Sequence, residues 1–129
     1  MNVLLDTHAF LWLITDDRNR LSQKAIEAFQ DPANSIFLSA VSAWELILKQ
    51  SKGKLRIAHA PKSFIRTQMA RNRISPLPLG LNHVLRTKDL PPIHKDPFDR
   101  ALIAQALEED FALMTCDADI QEHPVNTLW

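Results

Sequence analysis

The sequence contains no tyrosine, only one cysteine, and no acidic residue from Leu46 to Lys88. Each gap excludes something. A lone Cys116 cannot close an internal disulfide, and with no zinc-type Cys/His spacing it indicates a reducing, cytoplasmic setting. No uninterrupted apolar run approaches the roughly 20 residues that cross a bilayer. The apolar opening "MNVLLDTHAFLWLI" lacks a basic lead and a small-residue cleavage site and carries Asp6 in its middle, so a secretion signal is not expected. With tyrosine absent and the six phenylalanines mostly in apolar patterns, no platform for stacking nucleobases is expected either.

What is present fits one folded unit. The 129 residues match a single domain, 1–129, and 46% hydrophobic with 23% charged residues excludes extended disorder. A net charge of zero by itself suggests no polyanionic partner, but the charges are segregated. The acid-free stretch holds ten of the fifteen lysines and arginines, including Lys49, Lys52, Lys54, Arg71 and Arg73. A fold that joins the two acidic flanks would set an acidic focus beside a basic surface; the alternative is that these cations are solvated helix faces.

Apolar periodicity gives the elements. "NVLL", "SIFLS" and "FALMT" read as buried strands, "ISPLPL" as a proline-interrupted strand suited to a sheet edge, and "VNTLW" as a last short strand. Ser22 caps a helix over "QKAIEAFQ", Ser39 or Ser42 caps "AVSAWELILKQSK", and Pro61 opens "KSFIRTQMARN". "PFDRALIAQALEED" is a long helix, "HAFLWLI" and "NHVLRTK" shorter ones. The alternation predicts a parallel α/β sandwich.

In such sheets ligands bind beyond the carboxyl ends of the strands, where Asp6 and Asp117 fall. Every acid also has an ordinary structural role. Asp6 suits a helix cap, as do Asp117 and Asp119 after the last long strand. Glu45 shares the edge of an apolar face with Val41, Trp44 and Leu48, where an acid needs a partner, unless it merely pairs with Lys49 one turn on. Asp99 lies on the stripe of Leu102, Ile103 and Ala106 and points inward, while Asp96 points at the cap position, as cap or as support for the pocket. If Asp6, Glu45, Asp99 and Asp117 converge, pairs about 5 Å apart repel by roughly 3 kcal/mol, a cost without purpose unless a cation is held. Oxygen donors without a Cys or His cluster select Mg²⁺ or Mn²⁺.

These stretches resemble a known family. "LLDTHAFLW", "SAVSAWEL", "DPFDRALIAQA" and "LMTCDAD", in this order from residue 4 to residue 119, are similar to the PIN-domain ribonucleases, and within them to the VapC-like toxins of bacterial type II toxin-antitoxin systems. The resemblance implies a three-layer sandwich with a mainly parallel central sheet of four to five strands flanked by helices. It implies an acidic pocket holding Mg or Mn and endonucleolytic cleavage of RNA by metal-activated water. Asp6, Glu45, Asp99 and Asp117 match the acids of the pocket, Asp96 is an additional ligand or a cap, and Thr7, Thr115 and Asp119 are pocket neighbours. Lys49, Lys52, Lys54, Arg71 and Arg73 are the residues expected to bind RNA phosphates. A cognate antitoxin and a homodimer are the implied partners.

Three other readings compete. Cys116 as a nucleophile lacks a histidine placed beside it by sequence, and a cysteine at a strand end is ordinarily a buried small hydrophobe. No histidine shows a zinc-protease spacing, so each is assigned a structural role, with His94 alone near the site. A phosphatase of the haloacid dehalogenase type needs a second aspartate that "DTHAF" lacks. The remaining alternative is a catalytically weak PIN-fold binding module acting through a protein partner, which would dock in a groove formed by "HAFLWLI" and the helices near residues 22 to 52. Trp12 and Trp44 are assigned to the core.

Overall fold

Val3, Leu4 and Leu5 are fully buried, and the two-residue period of a strand sends them to opposite faces of one sheet. A strand buried on both faces belongs at the centre of a parallel sheet covered by helices. The computed structural model describes residues 1–56 and 60–129. Its five strands are β1 (Asn2–Leu5), β2 (Ser35–Ser39), β3 (Ile74–Leu77), β4 (Ala112–Met114) and β5 (Thr127–Leu128). They are all parallel, in the order β3-β2-β1-β4-β5. The proline-bearing strand β3 lies at an edge, where Pro76 needs no partner for a missing amide.

Two apolar layers enclose this sheet. On one face Val3, Leu5, Ile36 and Leu38 pack with Phe10 of α1 (Thr7–Ile14), Ala25 and Ala28 of α2 (Gln23–Gln30), Leu46 of α3 (Ala40–Ser51) and Ile65 of α4 (Pro61–Arg71). On the other, Leu4, Leu77 and Leu113 meet Leu102, Ile103 and Ala106 of α6 (Pro97–Glu109), with Ile120 of α7 (Ala118–Gln121). A short helix, α5 (Leu81–Arg86), runs into a 3-10 turn at Thr87–Asp89 beside α6. The three-layer sandwich is therefore the observed architecture.

The caps follow local chemistry. Ser22 accepts the Ala25 amide, and Ser39 rather than Ser42 caps α3 by accepting the Val41 amide at 3.0 Å. Ser39 also donates to Gln105 Oε1 at 2.5 Å, joining α3 to the middle of α6. Gln105 in turn donates to the Pro78 carbonyl. The one-turn helix α7 is nucleated by the Asp117 cap, whose carboxylate accepts the Asp119 and Ile120 amides. One expectation is corrected here. Trp44 is 57% exposed and packs edge-on against Phe98 at 5.1 Å instead of entering the core; Trp12 is half-buried.

Replacing Ser39 removes a cap and leaves Gln105 Oε1 without its partner in the core. Ser39→Ala is expected to lower unfolding free energy by about 2 kcal/mol in urea titrations, more than an exposed cap would cost.

Candidate metal centre

The strand order reverses direction around β1, with β2 on one side and β4 on the other. A crevice opens at such a switch point beyond the carboxyl ends of the strands. Asp6 follows β1 there, 6% exposed, and its carboxylate accepts the Ala9 amide at 2.7 Å as the cap of α1. Thr7, beside it, donates its hydroxyl to Glu45 Oε1 at 2.5 Å, so α1 orients an acid of α3. Glu45 is 7% exposed and also pairs with Lys49 at 3.3 Å. Asp96 caps α6 by accepting the Phe98 and Asp99 amides on Oδ1. Asp99, one turn in, bonds to His94 Nε2 at 2.7 Å.

The loop that carries His94 is held by one residue. Arg100 donates to the carbonyls of Thr87, Pro91 and His94 at 2.8 to 3.2 Å, fastening the segment between the 3-10 turn and α6 to α6 itself. Asp117 is fixed by its cap and by Thr115, whose hydroxyl accepts the Asp117 amide at 3.0 Å.

Asp6, Glu45, Asp96, Asp99 and Asp117 all line one cavity of about 270 Å³, with Thr7, His8, Lys49 and His94. Five acids face three basic groups there, and the carboxyls respond. Burial pushes Asp6 above its ordinary value, although the Thr115 hydroxyl, the Ala9 amide and His8 act the other way. Burial and then the Asp96 charge push Asp99 up to about 6, against the pull of His94. Such a set fits a divalent cation: hard oxygen donors, held in place, with more negative charge than the protein offsets. Among the described residues, the donors whose ligand atoms all lie within 4.8 Å of one another are His94, Asp117 and Asp119. No three of Asp6, Glu45, Asp99 and Asp117 are as tightly gathered, so a bound ion would draw them in or reach some of them through water.

The predicted neighbours separate into two groups. Thr7 and Thr115 are buried against the acids, and exposed Asp119 joins through His94 and Asp117. Lys49 lines the pocket, while exposed Lys54 lines an adjoining cleft. Lys52 is exposed and lines neither. Arg71 and Arg73 immediately precede β3, at the amino end of the sheet and across it from the acids, so their expected place beside the cut is corrected. His8 was missed; its only signal was its position two residues after Asp6. Cys116 is exposed, contrary to the expected burial, and partial burial of its thiol and the charges of Asp6 and Asp117 push the thiol up, which removes the thiolate that a nucleophile needs.

The exposed apolar side chains do not gather on α1. Trp44, Leu79 and Val84 line a separate apolar pocket with Phe98, and Leu81 and Leu85 are exposed on the adjoining helix α5. No helix among the described residues is long and apolar enough to cross a membrane.

Residues 3–126 match the family model described as the PIN domain. No curated protein matches the sequence. Among solved structures the fold is similar to VapBC2 from Rickettsia felis bound to a DNA fragment from its promoter, with TM-score 0.71 and 17% identity over 98% of this chain and 97% of that one. DNA-bound VapBC from Salmonella typhimurium is similar at TM-score 0.65 and 15% identity, over 98% of this chain and 96% of that one. FitAcB from Neisseria gonorrhoeae is similar at TM-score 0.60 and 17% identity, over 97% and 95%. At these identities the likeness is one of fold.

The raised Asp99 carboxyl has a signed consequence for stability. Its folded value near 6 exceeds the ordinary 3.8, so the metal-free fold prefers the neutral form. The penalty is absent below pH 3.8, grows across the window, and is complete above about 6. Asp99→Asn is therefore expected to stabilise metal-free protein by about 1 to 3 kcal/mol at pH 8 and not at pH 3.5. Urea titrations at the two pH values check the sign.

Proposed function

The chain belongs to the PIN-domain family, and on that premise we propose that it is a Mg²⁺- or Mn²⁺-dependent endoribonuclease acting in the cytoplasm as the toxin of a type II toxin-antitoxin pair. PIN domains are generally nucleases. The observation that carries the reading is the convergence of Asp6, Glu45, Asp96, Asp99 and Asp117 on one cavity from four separate segments of chain.

Asp6, Glu45, Asp99 and Asp117 would hold the metal, with Asp96 and Asp119 as further acids at its edge. When bound, a divalent ion activates water and offsets charge on the phosphoryl oxygens. The chain's own part is positioning. Thr7 fixes one oxygen of Glu45, His94 fixes one of Asp99, and the caps fix Asp6, Asp96 and Asp117. Lys49 at the pocket wall supplies the nearest permanent cation for an entering phosphate. No side-chain nucleophile is required, in keeping with the protonated state favoured for Cys116.

The similar structures from Rickettsia felis, Haemophilus influenzae and Salmonella typhimurium are VapBC complexes, and the one from Klebsiella pneumoniae is described as a toxin-antitoxin complex. A cognate antitoxin and a second copy of this chain are accordingly the proposed partners. The exposed Trp44, Leu81 and Leu85 support a protein partner and equally the alternative of a catalytically weak binding module.

Chelator separates these readings. Purified protein with total RNA is expected to cleave in Mg²⁺ or Mn²⁺ and to stop in excess EDTA. Asp6→Asn and Asp99→Asn are expected to lose at least about 100-fold in cleavage while keeping the wild-type circular dichroism spectrum. Full cleavage in either variant, under controlled metal, refutes the site; no cleavage by wild type in any divalent ion leaves the binding module.

A further inference from the structure

A second cleft, larger than the acidic cavity, continues from it along α1. His8 and Lys49 line both, so the two are joined. Its walls carry Trp12, Arg20, Lys54 and Arg56. The exposed imidazole of His8 stacks on Trp12 with ring centroids 5.5 Å apart and 29° between planes. The Arg20 guanidinium lies 5.7 Å from the Trp12 ring centre, and Trp129 meets that ring edge-on. Arg20 is paired with Asp17 and Lys49 with Glu45, whereas among the described residues Lys54 and Arg56 have no acidic partner.

We propose that this cleft binds an unpaired stretch of the RNA next to the cut, with one base stacked on His8 and the flanking phosphates on Lys54 and Arg56. The inference rests on the nuclease reading and adds to it a base-stacking subsite built from His8 on Trp12. A ring with one face packed on tryptophan offers its other face to a base, and only an unpaired base can stack there. Two cations in the same cleft, without an acidic partner among the described residues, suit the phosphates that accompany a base, and an acidic peptide would use the cations but not the ring. The shared walls, His8 and Lys49, put this strand next to the acidic cavity. Lack of tyrosine thus does not leave the protein without a stacking surface: histidine on tryptophan supplies it.

The test is binding of a fluorescein-labelled, unstructured ten-nucleotide RNA to the full chain in EDTA, where nothing is cut. Affinity is expected to fall about tenfold for His8→Ala. For wild type the logarithm of affinity is expected to fall with the logarithm of salt with a slope of about −1.4, and the slope to flatten in Lys54→Ala/Arg56→Ala. Arg71→Ala, at the far end of the sheet, is expected to bind as wild type does. Wild-type affinity in both cleft variants overturns the proposal, as does equal binding of a fully duplexed RNA or of an acidic peptide of the same charge. Cleavage by wild type with affinity indifferent to these substitutions keeps the nuclease and removes the cleft. RNA binding with the expected dependences, in protein that cuts nothing, does the reverse.

Discussion

The Asp6 carboxylate, buried at the carboxyl end of the central strand and anchored to the Ala9 amide, sets the terms for everything around it. The sheet and α1 leave it only 6% exposed, at the wall of the cavity, so its charge must be balanced by nearby groups or suppressed. The nearby groups are mostly further carboxylates. The fold keeps them together only because each is tied down by a separate local bond: a cap at Asp6, a hydroxyl at Glu45, an imidazole at Asp99, a second cap at Asp117. The cost is carried by the stability of two apolar layers, and it is visible as raised carboxyl values at Asp6 and Asp99, caused first by burial and then by neighbouring carboxylates.

The same constraint explains where polar bonding is concentrated in the second layer. The loop with His94 is anchored at its start by the buried Leu90, and Arg100 adds carbonyl contacts that fix the loop against the helix bearing Asp99. His94 is thereby held at 2.7 Å from Asp99. Deeper in α6, Ser39 and Gln105 link the start of α3 to the centre of that helix, so the two helices bearing Glu45 and Asp99 share a fixed origin at the sheet.

Legibility in the sequence tracked the range of the interaction. Strands with three buried residues in a row, Ser22 as a cap and the proline-bearing edge strand are local facts, decided within a few residues. Glu45 was readable because a helical wheel puts it on a buried edge, and Asp99 because the stripe of Leu102 and Ile103 runs through it. Trp44 was misplaced since the wheel gives direction but not what waits there: α5 and α6 leave its side open. The positions of Arg71 and Arg73 depended on the direction in which α4 enters β3, which charge segregation does not encode. The His8–Trp12 stack hid for a similar reason, four residues apart on one helix and easily taken for apolar periodicity.

Whether a carboxylate caps a helix or serves the pocket is a false choice at Asp96 and Asp117. Both accept their amide hydrogen bonds through Oδ1. The cap freezes the side-chain torsions. The other oxygen is left in a fixed position. A ligand that must be ready before the ion arrives needs fixed torsions, and a cap is the cheapest local means a chain has of fixing them. Capping chemistry at the ends of β1 and β4 and ahead of α6 is therefore the device that lets so short a polypeptide aim several acids at one cavity without an internal disulfide to brace them.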